Sequence, residues 1–222
     1  MAKMQTANCG RHVSLRILSV LIPLSVWAAL AAETGFPSFV DVAEKVGITL
    51  MNVHGGATKD YILEANGNGA AFFDYDKDGD VDAVVVNRST LENYKKGGDP
   101  MVALYRNDKG RFVDVTEAAQ VKRIGWGMGA CVADYDNDGY SDVYITAFGT
   151  NVMFRNNGDG TFSDVTGKAQ VGDSRWGTNC AFGDYDRDGD VDLYVANYVN
   201  FDEKTIKPRG SNDNCRNMGR DV

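Results

Sequence analysis

Hydrophobic residues in this chain come in short bursts, not in a helical stripe. Near-continuous apolar runs at Ala83-Val-Val-Val86, Val143-Tyr-Ile145 and Leu193-Tyr-Val195 predict strands covered on both faces. Each run follows a strand of small apolar residues with a glycine-rich entry: Gly67 to Phe73, Trp126 to Val132, and Trp176 to Phe182. The first two units then add a hairpin. Met101 to Arg106 turns through Asn107-Asp-Lys-Gly110 into Arg111 to Val115, and Val152 to Arg155 turns through Asn156-Asn-Gly158-Asp-Gly160 into Thr161 to Val165. Asn and Gly supply the positive φ that tight hairpins require. The half-buried pattern Phe-x-Asp-Val closes both hairpins and also occurs alone at Phe39-Val-Asp41-Val42, which predicts a leading strand. The residues after each copy suit a brief helical turn.

Between the first and second strand of every unit lies the same acidic stretch. It begins at Asp74, Asp134 and Asp184, giving periods of 60 and 50 residues. The polar insertion Ser89 to Pro100 accounts for the longer period. Four antiparallel strands recurring at this spacing predict an all-β protein of β-propeller blades, over about 62–116, 124–166 and an incomplete 174–222. A β-sandwich or β-solenoid is the alternative, and repetition of one loop at one place in each unit argues against it. About three blades are fewer than a ring needs. The leading strand is expected to close the final blade, and the chain to be the N-terminal part of a longer propeller. With 25 glycines and 4 prolines, the composition suits an all-β chain of tight turns.

The acidic stretches carry the candidate chemistry. Asp74, Asp76, Asp78 and Asp82 stand at loop positions 1, 3, 5 and 9, as do Asp134, Asp136, Asp138 and Asp142, and Asp184, Asp186, Asp188 and Asp192. Carboxylates so spaced converge only if the chain coils tightly, which the glycine at position 6 permits. They repel one another unless a cation sits among them, and an all-oxygen donor set points to Ca2+, at about three sites. Position 7 (Asp80, Tyr140, Asp190) is expected to add a backbone carbonyl. An EF-hand would place glutamate at position 12, where this chain has Val85, Ile145 and Val195 within apolar strands. The tyrosine at position 2 (Tyr75, Tyr135, Tyr185) is expected to pack into the sheet.

Charge and cysteine usage bound the function. The net charge is -8, and fourteen of the 31 acidic residues lie in the three loops, which argues against a nucleic-acid partner. Residues 1–31 read as a secretory signal peptide: Lys3, Arg11 and Arg16 are basic, Ile17 to Leu30 is apolar, and Ala29-Leu30-Ala31 resembles a cleavage site. An uncleaved anchor is the alternative, against which the short run and Pro23 count. The mature chain, 32–222, is then expected to be extracellular or periplasmic, with no membrane insertion. Cys131 lies three residues before its loop and Cys180 four, so equivalent faces do not match, and buried free thiols are expected in place of a bridge. Cys215 is expected to be unpaired.

No catalytic constellation is present: His54 is the one histidine after residue 31, and no nucleophile elbow or zinc spacing occurs. The chain therefore reads as a non-enzyme whose partner is an unspecified protein or glycan. The alternatives are the scaffold of an extracellular enzyme, such as one processing polysaccharides, or a truncated, nonfunctional product. Binding is expected on the face opposite the acidic loops, which carries the 89–100 insertion, Phe148 to Asn151, Trp126, Trp176 and the segment from 199. Equally, both tryptophans could simply pack between blades.

The D-x-D-x-D-G-x-x-D loops, the Gly-x-Gly entries and the Asn-x-Gly-x-Gly-x-Phe-x-Asp-Val-Thr hairpin resemble the FG-GAP/VCBS repeats of integrin-α-like propellers. The Phe-x-Asp-Val tails and Asn197-Tyr-Val-Asn-Phe201-Asp202 look more narrowly like the ASPIC/UnbV proteins related to cartilage acidic protein. The resemblance covers about residues 36–222. It implies a usually seven-bladed propeller with a small C-terminal domain, whose remaining blades would be supplied by further C-terminal sequence. It also implies a second cysteine shortly after the position of Cys215.

Overall fold

In a computed structural model, residues 38–65 and 67–206 are described. The signal-peptide and Cys215 expectations lie outside them. Two four-stranded antiparallel sheets and a two-stranded sheet succeed one another along the chain. The first comprises β1 (Ala70–Phe73), β2 (Asp82–Val86), β4 (Val102–Asp108) and β5 (Arg111–Asp114), hydrogen-bonded in that order. The second comprises β7 (Gly127–Ala133), β8 (Asp142–Ala147), β9 (Val152–Asn156) and β10 (Phe162–Asp164). The third pairs β11 (Gly177–Gly183) with β12 (Asp192–Asn197). These are the predicted propeller-like blades, and the all-β class holds.

The blades stack face to face, as the alternation of side chains shows. Val84, Val86, Val102 and Leu104 of the first blade meet Val143, Ile145, Val152 and Phe154 of the second in the largest core. The other face of the second blade, with Tyr144 and Met153, meets Cys180, Phe182, Leu193 and Val195 of the third. Strand β8 is buried along its whole length because blades cover both its faces. The glycine-rich entries have a steric cause. A Cβ on Gly69 would lie 2.6 Å from the Cα of Gly129, so the inner strands of neighbouring blades could not approach with larger residues there.

The leading strand is corrected. Among the described residues, 38–42 form no strand, and Phe39 is 98 % exposed. The predicted helical turn does form, as α1 (Ala43–Val46), ended by Gly47 at φ 103°. The segment after α1 has a role that no local pattern announces. Ile48 and Leu50 lie on Ala83, Ala103 and Tyr105, covering the outer face of the first blade. The Leu50 N–H donates to the Tyr105 hydroxyl at 2.7 Å, and the Val53 N–H to Asn87 Oδ1 at 2.8 Å.

The 89–100 insertion is ordered. Thr90 caps α2 (Leu91–Lys95) by accepting from the Asn93 N–H at 3.0 Å. Asp99 gathers the segment, accepting from Ser89 Oγ at 2.7 Å and Asn93 Nδ2 at 3.0 Å. Strand β3 (Asp99–Pro100) then pairs with β6 (Ile124–Gly125). Both tryptophans pack between elements, Trp126 with no exposed surface and Trp176 nearly so. A further helical turn, α3 (Thr166–Ala169), comes after the second blade.

The cysteine expectation is also overturned: Cys131 and Cys180 form a disulfide, with Cα atoms 5.9 Å apart. Cys131 pairs in register with Tyr144, whose side chain faces the third blade. Cys180 pairs with Val195, whose side chain faces the second. Stacked blades present opposite faces to each other, so the one-residue offset brings the thiols together instead of separating them.

Candidate metal sites in the acidic loops

Each acidic loop joins the first and second strands of a blade, and backbone geometry coils all three alike. Position 6 is left-handed in every copy (Gly79 φ 92°, Gly139 φ 87°, Gly189 φ 99°). So is position 4, although it is not glycine (Lys77 φ 60°, Asn137 φ 55°, Arg187 φ 66°). Asparagine tolerates this region, but lysine and arginine carry no sequence signal for it. The coil turns backbone donors inward. The position 6 N–H donates to the position 1 carboxylate at 3.0 Å (Asp74), 2.7 Å (Asp134) and 3.2 Å (Asp184). The position 7 N–H donates to position 5 at 2.8 Å (Asp78), 2.9 Å (Asp138) and 2.9 Å (Asp188).

The ninth position ties each loop to its sheet. Asp82 is fully buried and accepts from the Tyr75 N–H at 3.0 Å and the Asn107 N–H at 2.8 Å. Asp142 is equally buried and accepts from the Tyr135 N–H at 3.0 Å and the Asn156 N–H at 2.7 Å. Burial raises both carboxyls, Asp142 to about 6, against the lowering effect of those backbone donors. Burial and the neighbouring Asp78 raise Asp76 as well. Asp192 is exposed and accepts from the Tyr185 N–H at 3.1 Å.

Carboxylate oxygens converge in three groups, each with its atoms within 4.8 Å of one another: Asp74, Asp76 and Asp78; Asp134, Asp136 and Asp142; Asp184, Asp186 and Asp192. The structure thus brings together most of the expected ligands, in sets that differ between loops. Asp82 and Asp188 fall outside their groups, and so does Asp138, which an arginine engages. The side chains of position 7 point elsewhere. Asp80 accepts from the Lys109 N–H at 3.0 Å, Asp190 from Asn137 Nδ2 at 2.9 Å, and the Tyr140 ring lies 4.0 Å from Lys77 Nζ. The donor set fits a hard divalent cation: it is all oxygen, and Asp74 Oδ1 is buried with no hydrogen-bond partner.

Of the position 2 tyrosines, expected to pack into the sheet, Tyr75 and Tyr135 do so, and Tyr185, with no described blade beyond it, does not. Tyr75 is buried and stacks on Phe162 of the next blade, ring centroids 6.0 Å apart. Tyr135 is half-buried against the third blade, and Tyr185 is 83 % exposed. On the opposite face a cleft of about 880 Å³ opens between the insertion and the second blade, lined by Tyr94, Arg123, Ile124, Phe148, Asp164 and Gln170 among others. His54 is exposed and contacts the buried guanidinium of Arg88. Asn87, a formal glycosylation acceptor, is buried and held by Val53 and Met51.

The family model described as FG-GAP-like repeat matches residues 74–145 and 134–195, together more than half of the chain. Each match runs from the start of one acidic loop into the second strand of the following blade. No curated protein matches the chain.

Proposed function

The chain belongs to the FG-GAP-like repeat family, and from that premise we propose that it is a secreted, calcium-stabilised propeller module that binds a protein or glycan partner and is not itself an enzyme. The observation that carries the calcium reading is the convergence of carboxylates at the same place in all three loops, with Asp74 Oδ1 buried and unpartnered in the first. Bound calcium would neutralise these carboxylates and pin the turn between the first two strands of each blade. In the first loop Asp74, Asp76 and Asp78 would hold it; in the second, Asp134, Asp136 and Asp142; in the third, Asp184, Asp186 and Asp192.

The Cys131–Cys180 bridge supports the extracellular reading, since such bonds persist in oxidising compartments. No helix among the described residues is long and apolar enough to cross a membrane. For the partner we favour the face with the ordered insertion, where the cleft combines aromatic rings with the Arg123–Asp164 ion pair.

Melting the protein in calcium and in chelator tests the metal reading. A melting temperature several degrees higher in calcium, with bound calcium found by elemental analysis, is expected. An unchanged melt with no bound calcium would refute it. Substituting Arg123 and Ile124, exposed residues of the cleft, while the calcium response persists separates the binding face from the metal sites. Partner capture that survives those changes would count against the cleft.

A further inference from the structure

The first two acidic loops share carboxylates at positions 1, 3, 5 and 9, and differ at position 7 (Asp80 against Tyr140), but the arginine beside each also behaves differently. Arg155 is the last residue but one of the third strand of the second blade, and its side chain turns into the loop. Its Nε donates to Asp136 Oδ2 at 2.5 Å and its Nη2 to Asp138 Oδ2 at 2.7 Å. A guanidinium there spans loop positions 3 and 5. Arg106 has the same place in the first blade, one residue before the hairpin asparagine. It turns the other way and grips its own hairpin, Nε to Asp108 Oδ1 at 2.7 Å and Nη2 to Asp108 Oδ2 at 3.0 Å.

The residue after the hairpin asparagine accounts for the difference. In the first blade it is Asp108, a carboxylate that satisfies the arginine's fork in bidentate fashion. In the second it is Asn157, which is uncharged and already engaged within the turn. Its Nδ2 donates to Thr161 Oγ1 at 3.0 Å, and its Oδ1 accepts from Ser163 Oγ at 2.9 Å. Arg155 therefore finds its counter-charge in the acidic loop, and Asp138 falls outside the converging oxygens there. In the first loop Asp76 and Asp78 take no arginine, and both belong to the converging group.

We propose that the residue following the hairpin asparagine decides whether an acidic loop is neutralised by its own arginine or left open to a divalent cation, so that the first loop takes calcium more tightly than the second. The proposal rests on the calcium reading above. A cation entering the second loop must displace a guanidinium from two carboxylates. Arg155 is about one-third exposed, so the competition is modest.

A calcium titration of the full chain, followed by the amide resonances of Gly79 and Gly139, reads the two loops separately. Each amide donates to the position 1 carboxylate of its own loop. The Gly79 midpoint is expected at a calcium concentration about two- to fivefold below that of Gly139, the span of a partly exposed ion pair. Arg155→Gln and, independently, Asn157→Asp should draw the Gly139 midpoint down towards that of Gly79. Asp108→Asn should raise the Gly79 midpoint. Asn157→Asp keeps the arginine, so it remains informative if Arg155→Gln fails to fold. Equal midpoints in the unaltered protein, or midpoints that none of these substitutions moves, would overturn the proposal while leaving calcium binding intact. No calcium response at either glycine would overturn the calcium reading itself, and this proposal with it.

Discussion

Asp142 and Asp192 hold the same loop position and differ in burial, which makes them a natural pair for comparison. Asp142 is fully buried and satisfies two backbone donors, whereas Asp192 is exposed and satisfies one. Asp142→Ala leaves the Tyr135 and Asn156 N–H groups unpaired and should cost about 2 kcal/mol or more. Asp192→Ala should cost less than about 1 kcal/mol on the same scale; urea unfolding of both variants checks the contrast. The raised carboxyl of Asp142 also sets a pH dependence. Because its folded pKa, about 6, lies above the ordinary carboxylate value, the folded form holds its proton more tightly. That contribution to stability is complete below about pH 4 and is lost as pH rises through 6. In chelator the melting temperature should therefore fall between pH 4 and 7, and Asp142→Asn should flatten the fall. Calcium, which favours the ionised carboxylate, should flatten it as well.

At the scale of elements, the strands and their connections arise from local sequence, and the bridge between them does not. Two-sided burial of Val143 to Ile145 and the Asn-Gly hairpins are local signals, and both are realised. Cys131 and Cys180 belong to different blades 49 residues apart, and the way stacked blades face each other decides their pairing. Closing a loop of that length removes chain entropy from the unfolded state worth about 4 kcal/mol. Cys131→Ser or Cys180→Ser should lose most of that in denaturant titrations, and reductant should destabilise the unaltered protein by a similar amount while leaving either variant unmoved. The isolated Phe39-Val-Asp41-Val42 pattern shows the opposite failure. Its alternation is that of a strand, but a strand forms only where a sheet edge receives it, and among the described residues 38–42 form no strand.

Across the whole molecule, the face opposite the acidic loops is joined by a row of aromatic rings. Phe148 sits at its centre, with ring centroids 5.2 Å from Tyr94 of the insertion, 5.9 Å from Trp126, 5.9 Å from Trp176 and 5.7 Å from Phe201. Three of these pairs are edge-to-face and the one with Tyr94 is tilted, and such contacts add to the burial of the rings themselves. Phe148→Ala should cost about 3 kcal/mol, and the loss should broaden the melt if the third blade loosens before the first two. Tryptophan fluorescence reports on that region and urea unfolding on the whole, so a divergence of the two transitions is the expected outcome.

Sequence alone determined the blade: strand order within each unit, the hairpin turns, the repeated acidic loop and the exclusion of an EF-hand are all properties of short, contiguous stretches. Spacing along the chain dictates that the carboxylates of each loop converge, because a coil of nine residues holds them close, but not which of them do, since the converging sets differ between loops. Only the tertiary structure decided what neighbouring blades do to one another. It joined Cys131 to Cys180, buried the tryptophans, laid Ile48 and Leu50 over the first sheet, and turned Arg155 into one loop and Arg106 away from the other. These outcomes depend on which faces meet and on where a long side chain finds its nearest opposite charge, and neither is a local property of the chain.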